Sequence, residues 1–197
     1  MPAPPAAQPV LHIDPTRNWV TGARQISSPN CDDRPAAADI SLVVIHGISL
    51  PPRQYGGPYI DQLFTNNLDP AAHAYFAEIA ALRVSSHLCV DRRGTVTQYV
   101  PLARRAWHAG KSTFRGRSAC NDFSIGIEME GCDDEAYCDV QYQVGAALVA
   151  ELMHAWPAIG PDCIVRHSDI APGRKTDPGP AFDWERFRAA VAAGRKA

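Results

Sequence analysis

The stretch RHSDIAPGRKTDPGPAFDW places His167 eight residues before Lys175, with Asp177 two residues further on. An imidazole can bind a metal or carry a proton. An ammonium can face negative charge that develops during a reaction, and a carboxylate can ligate a cation. Prolines at 172, 178 and 180 restrict the backbone around all three. A solvated loop would account for the charges but not for the stiffening. Two further candidates lie upstream: His46, which closes VVIH, and Glu128 in SIGIEMEG. His46, His167 and Asp177 offer the two-histidine, one-carboxylate set that zinc hydrolases use, with the fourth position left for water. The helical H-E-x-x-H pattern is absent, which excludes a zincin-type protease. By residue type alone, each histidine is equally readable as a packed or surface residue. Lys175 and Asp177 are likewise readable as a surface ion pair worth little. Glu130 shares a strand face with Glu128, so spacing does not choose between them.

These residues need elements to position them. Residues 40–49, ISLVVIHGIS, form a continuous apolar run rich in β-branched side chains and predict a buried central strand carrying His46 near its end. Residues 124–131 alternate, with Ile125, Ile127 and Met129 facing one way and the two glutamates the other. Residues 85–100 predict a hairpin about Arg92-Arg93-Gly94, and residues 162–170 a last strand ending near His167. Helices are expected over 139–156, from a cap at Asp183 to about 193, and over 70–81. Long loops at 49–69 and 101–123 have the length of binding surfaces. The expected fold is α/β (α+β): one domain, with a central mixed β-sheet flanked by helices.

Composition narrows the function. The chain of 197 residues, 46% of them hydrophobic and 20% charged, can bury a sizeable core in a single domain. A formal net charge of −2 gives no broad field for nucleic acid. No apolar run approaches the roughly 18 residues of a membrane span. The opening MPAPPAAQPV has neither basic residues nor an apolar core segment. A cytoplasmic protein is therefore expected, with a flexible Pro/Ala-rich tail over residues 1–18 and the domain proper over 19–193. Six cysteines without a C-x-x-C pair are expected as reduced thiols.

Long ordered motifs then carry a resemblance: VVIHGISLPPRQYGGPYIDQLF, HAYFAEIAALRVSSHLCVDRRGTVTQYVP, RAWHAGKSTFRGR, CNDFSIGIEMEG and RHSDIAPGRKTDPGPAFDWERF. From about residue 19 to 187 the chain resembles the AmpD-type 1,6-anhydro-N-acetylmuramyl-L-alanine amidases. These belong to the zinc-dependent N-acetylmuramoyl-L-alanine amidases, whose fold is shared with peptidoglycan recognition proteins. The resemblance implies one zinc ion held by His46, His167 and Asp177, with Glu128 as catalytic acid and Lys175 as catalytic lysine. It implies hydrolysis of the amide between the lactyl group of the anhydro sugar and L-alanine of the stem peptide, in cytosolic recycling of cell-wall peptidoglycan. A monomer acting on a small muropeptide, without nucleic acid or membrane, is expected. Arg83 and Arg117 (or Arg115) are candidate forks for peptide carboxylates, and Trp107 a platform for the sugar. His108, Asn121 and Tyr59 complete the candidate substrate contacts. His87 is expected to be structural. The family usually has Asn where this chain has Gly47, which removes a polar group beside the metal. A broader amidase acting on intact peptidoglycan, or a non-catalytic muropeptide-binding module, are the alternatives.

Overall fold

The computed structural model describes residues 11–36 and 38–194. The first ten residues of the expected tail lie outside that range, but its remainder is not a free tail. His12–Asp14 pairs antiparallel with Trp19–Thr21.

A six-stranded mixed sheet forms the centre. Its order is Ile164–Arg166, Leu42–Ile48, Ser124–Glu130, Leu88–Val90, Val96–Gln98 and Arg24–Gln25. The first four strands run parallel, and Leu88–Val90 turns back through the expected hairpin to Val96–Gln98. The alternation along residues 124–130 separates the two faces as expected. Val43, Ile45, Ile125, Ile127 and Met129 face a core completed by Val144, Leu148 and Leu152 of the long helix Asp139–Ala155, and by Phe187 of the terminal helix Trp184–Gly194. On the opposite face, Leu42 and Val44 pack with Ala109, Cys120 and Phe123 from the long loop after residue 101. That loop therefore serves as a wall of the domain.

Asp183 caps the terminal helix, its Oδ1 accepting the Arg186 N–H at 3.0 Å. Two expectations need correction. The helix expected over 70–81 is one turn, Phe76–Ile79. Inside the expected 49–69 loop lies the helix Tyr59–Phe64, which buries Ile60, Leu63 and Phe64, residues at helical spacing. The last strand stops at Arg166, at the expected end near His167, and a helical turn, His167–Ile170, follows it. Asp169 causes the switch, because its Oδ2 accepts the Arg166 N–H at 2.9 Å and caps the turn. Among the described residues, no helix is long and apolar enough to cross a membrane. The six cysteines form no disulfide.

Candidate active site

His46 and Glu128 are direct neighbours in the parallel register of the two central strands. Adjacent strands lie about 4.8 Å apart, so the two side chains stand side by side on one face. His167 opens the helical turn beyond the next strand. Asp177 lies on the proline-rich loop, which is tied back by the Ser168 N–H donating to the Asp177 carbonyl at 3.2 Å.

The three candidate ligands converge. His46 Nδ1 and His167 Nδ1 are 2.9 Å apart, and Asp177 Oδ2 lies 3.2 Å from the first and 3.1 Å from the second. Both rings are buried. Burial pulls the His46 pKa down to about 4 despite the nearby Asp177 carboxylate, so the ring is neutral near pH 7. Burial pushes Asp177 upward, but its close neighbours His167 and His46 outweigh it and hold the carboxyl well below its usual range. Two imidazole nitrogens and a carboxylate oxygen thus converge on a common point, an arrangement that can take a cation between them. Tetrahedral zinc with ligands at about 2.0–2.1 Å separates those ligands by about 3.3 Å, which these spacings approach. The group can therefore hold a metal ion.

Glu128 is buried, and burial pushes its pKa up to about 8. Asp177 adds to the rise and Lys175 opposes it. Lys175 is exposed, and its side chain shares one cleft of about 610 Å³ with the three ligands and Glu128. Glu130 is built into the scaffold differently. Its Oε1 accepts the Gly56 N–H at 2.5 Å and its Oε2 the Arg92 N–H at 3.1 Å, which pins two loops.

The other sequence candidates separate into two groups. Trp107 lines the cleft, held by its indole N–H donating to Asp32 Oδ1 at 3.1 Å. His108 also borders the cleft, but its ring faces the protein: His108 Nδ1 is 2.9 Å from His46 Nε2 and His108 Nε2 is 3.1 Å from Ser124 Oγ. Arg83, Arg117, Asn121 and Tyr59 are not among the residues lining this cleft. Arg83 donates to carbonyls of its own turn. Arg117 donates to Asp39 and lies over the Phe123 ring. Asn121 Oδ1 accepts the N–H groups of His108 and Ala109 at 3.2 and 2.8 Å. Tyr59 packs on Phe76, with ring centroids 4.8 Å apart. His87 is fully buried, its Nδ1 accepting the Gly126 N–H at 3.0 Å, as a structural histidine should be.

Sequence reasoning missed the apolar wall. Leu63, Phe64, Tyr75, Ile79, Leu82 and Val84 also line the cleft. Tyr75 and Leu82 are large apolar side chains left 36% and 46% exposed. The signal was available in AYFAEIAALRV, where apolar residues recur too densely for a one-turn helix to bury. Gly47 also has a structural reason. A Cβ there would collide with the Tyr137 hydroxyl, which donates to the Pro178 carbonyl at 3.0 Å. A tyrosine thus fills the space that a side chain at 47 would need.

Residues 36–180 match the family model described as N-acetylmuramoyl-L-alanine amidase. The chain is 57% identical over 178 residues to the 1,6-anhydro-N-acetylmuramyl-L-alanine amidase AmpD of Salmonella typhimurium, covering 90% of this chain and 95% of that protein. It superposes on the crystal structure of a selenomethionine AmpD derivative with a TM-score of 0.87 at 55% identity, covering 89% of this chain and 97% of that one. It also resembles Escherichia coli AmiD in complex with the substrate anhydro-N-acetylmuramic acid-L-Ala-D-γ-Glu-L-Lys, with a TM-score of 0.56 at 30% identity over 80% of this chain and 60% of that one. With the mixed sheet, the convergent histidines and these likenesses together, the chain belongs to the N-acetylmuramoyl-L-alanine amidase family.

Proposed function

We propose that this protein is a zinc amidase that hydrolyses the amide between the lactyl group of 1,6-anhydro-N-acetylmuramic acid and L-alanine of the stem peptide. On this reading it works in the cytoplasm as a monomer, recycling soluble wall fragments. The observation that carries the reading is the convergence of His46, His167 and Asp177 beside Glu128, in a chain more than half identical to AmpD amidases. His46, His167 and Asp177 are the residues that would hold one zinc ion, and zinc bound there supplies a Lewis acid that polarises the scissile carbonyl and acidifies water.

The chain's own residues do the rest. Glu128, one strand over from His46, takes a proton from the attacking water on this reading and returns it to the leaving amine. Its raised pKa suits both halves of that exchange near neutral pH. Lys175 carries an exposed cation into the same cleft, where it can face the oxygen that becomes negative on attack. The apolar wall from Leu63 to Val84 and the pinned Trp107 offer surfaces for the sugar and the alkyl parts of the stem.

The test is mass spectrometry of products from an anhydromuropeptide, with and without a chelator, beside the reducing-end muropeptide and intact sacculi. Release of the free stem peptide from the anhydro substrate, stopped by chelation, is the expected result. Equal rates on the two sugar forms, or ready digestion of sacculi, would replace this reading with that of a broader wall amidase.

A further inference from the structure

We infer that His108 is a positioning residue for the metal site: it accepts the Nε2–H of His46 and so keeps the His46 Nδ1 lone pair aimed at the ion. This rests on the zinc reading above, and three observations carry it.

The first is a chain of hydrogen bonds whose direction is set at its far end. Ser124 Oγ lies 2.6 Å from the Cys120 carbonyl, which can only accept. The hydroxyl therefore donates to Cys120, and its oxygen remains free to accept from His108 Nε2–H at 3.1 Å. A neutral His108 protonated at Nε2 bears a bare Nδ1, which accepts from His46 Nε2–H at 2.9 Å. His46 is then bare at Nδ1, the atom that meets His167 and Asp177. A main-chain carbonyl thereby fixes the tautomer of a ligand two side chains away.

The second observation is that the backbone has been cleared for this ring. A Cβ on Gly126 would lie 2.6 Å from His108 Cγ and Nδ1, so the central strand has room for the imidazole only because residue 126 is glycine. The third is that one short segment supports both ligands. While the His108 ring meets His46, the next carbonyl, that of Ala109, faces His167 Nε2 at 3.2 Å. Asn121 Oδ1 accepts the N–H groups of both residues and holds the segment in place.

The experiment measures zinc affinity by chelator competition, without substrate, for the parent, His108→Phe, His108→Asn and Ser124→Ala. Asparagine places a carbonyl oxygen near the position of Nδ1 and should restore the acceptor; phenylalanine cannot. Expected is a loss of about 10–100-fold in zinc affinity for His108→Phe, the usual scale for such outer contacts, with His108→Asn within a few-fold of the parent and Ser124→Ala between them. His108→Phe binding zinc as tightly as a zinc-binding parent overturns this inference and leaves the metal reading intact. A parent that takes up no zinc overturns both. Imidazole nitrogen NMR of the zinc-loaded parent gives a second readout that needs no variant to fold. His108 should be the Nε2–H tautomer, and an Nδ1–H tautomer refutes the assignment.

Discussion

Glu128 stands directly opposite His46 in a parallel register that continues from Ser124–Leu42 to Glu130–Ile48. Main-chain pairing therefore fixes the spacing of the candidate proton carrier and the first candidate ligand. Glu128→Gln keeps the shape and removes the base. It should retain zinc, by metal analysis, and lose at least about a hundredfold in kcat. Retention of most activity would move the role elsewhere.

The raised Glu128 pKa also makes a stability prediction. Its carboxyl titrates at about 8 in the fold against an ordinary 4.5. Between those values the folded state binds the extra proton, so Glu128 subtracts stability as pH rises. Glu128→Gln lacks this penalty. In metal-free protein, the melting temperature of the variant relative to the parent should climb from pH 4.5 to about 8. A flat difference would mean that the carboxyl is not desolvated.

Glu130 should behave as a structural carboxylate. Glu130→Ala removes the acceptor for the Gly56 and Arg92 N–H groups, which should cost about 1–3 kcal/mol in urea unfolding and hasten proteolysis near Gly56. Zinc content should be unchanged. Greater harm to kcat than Glu128→Gln causes would reverse the two assignments.

The exposed apolar wall predicts a binding effect without a chemical one. Leu82→Asp puts a charge where the cleft offers an apolar face. KM for the muropeptide should rise about tenfold, equivalent to about 1.4 kcal/mol, with kcat within a few-fold of the parent. An unchanged KM would show that substrate does not reach Leu82.

Gly47 and Tyr137 should be coupled. Gly47→Ala drives a methyl group into the Tyr137 hydroxyl and should cost about 1–3 kcal/mol. Tyr137→Phe alone loses the bond to Pro178, worth about 1 kcal/mol. In the Gly47→Ala background the same change should instead restore stability, because it removes the colliding atom. Additive losses in thermal unfolding would count against this packing.

The central strands were readable because a β-branched run and a two-residue alternation report burial directly, and both faces of residues 124–130 came out as expected. The short helices were less readable. Tyr59–Phe64 sits among prolines and glycines that suggest loop, and the burial of Ile60, Leu63 and Phe64 decides it. The His167 turn hinges on one cap from Asp169. The pairs Glu128–Glu130 and His108–Asn121 illustrate a deeper limit. Glu128 and Glu130 share a strand face, yet Glu130 is held by backbone N–H groups from two distant loops, and Asn121 by those of His108 and Ala109 in a separate motif. Spacing records which way a side chain points, not what it meets.

Missing side chains shape the neighbourhood of this site. Gly47 leaves room for Tyr137, Gly126 leaves room for His108, and Gly179, with φ of +84°, presses against the Asp133 backbone beside the loop that carries Asp177. None of them offers a functional group, yet each marks a point where even a methyl group meets an atom already in place. In a saturation library these positions would be as intolerant as the candidate ligands themselves. An inventory of damaging substitutions would then outline the mould around the candidate site as sharply as its functional candidates, and the two would separate only by whether a compensating change in the neighbour restores what was lost.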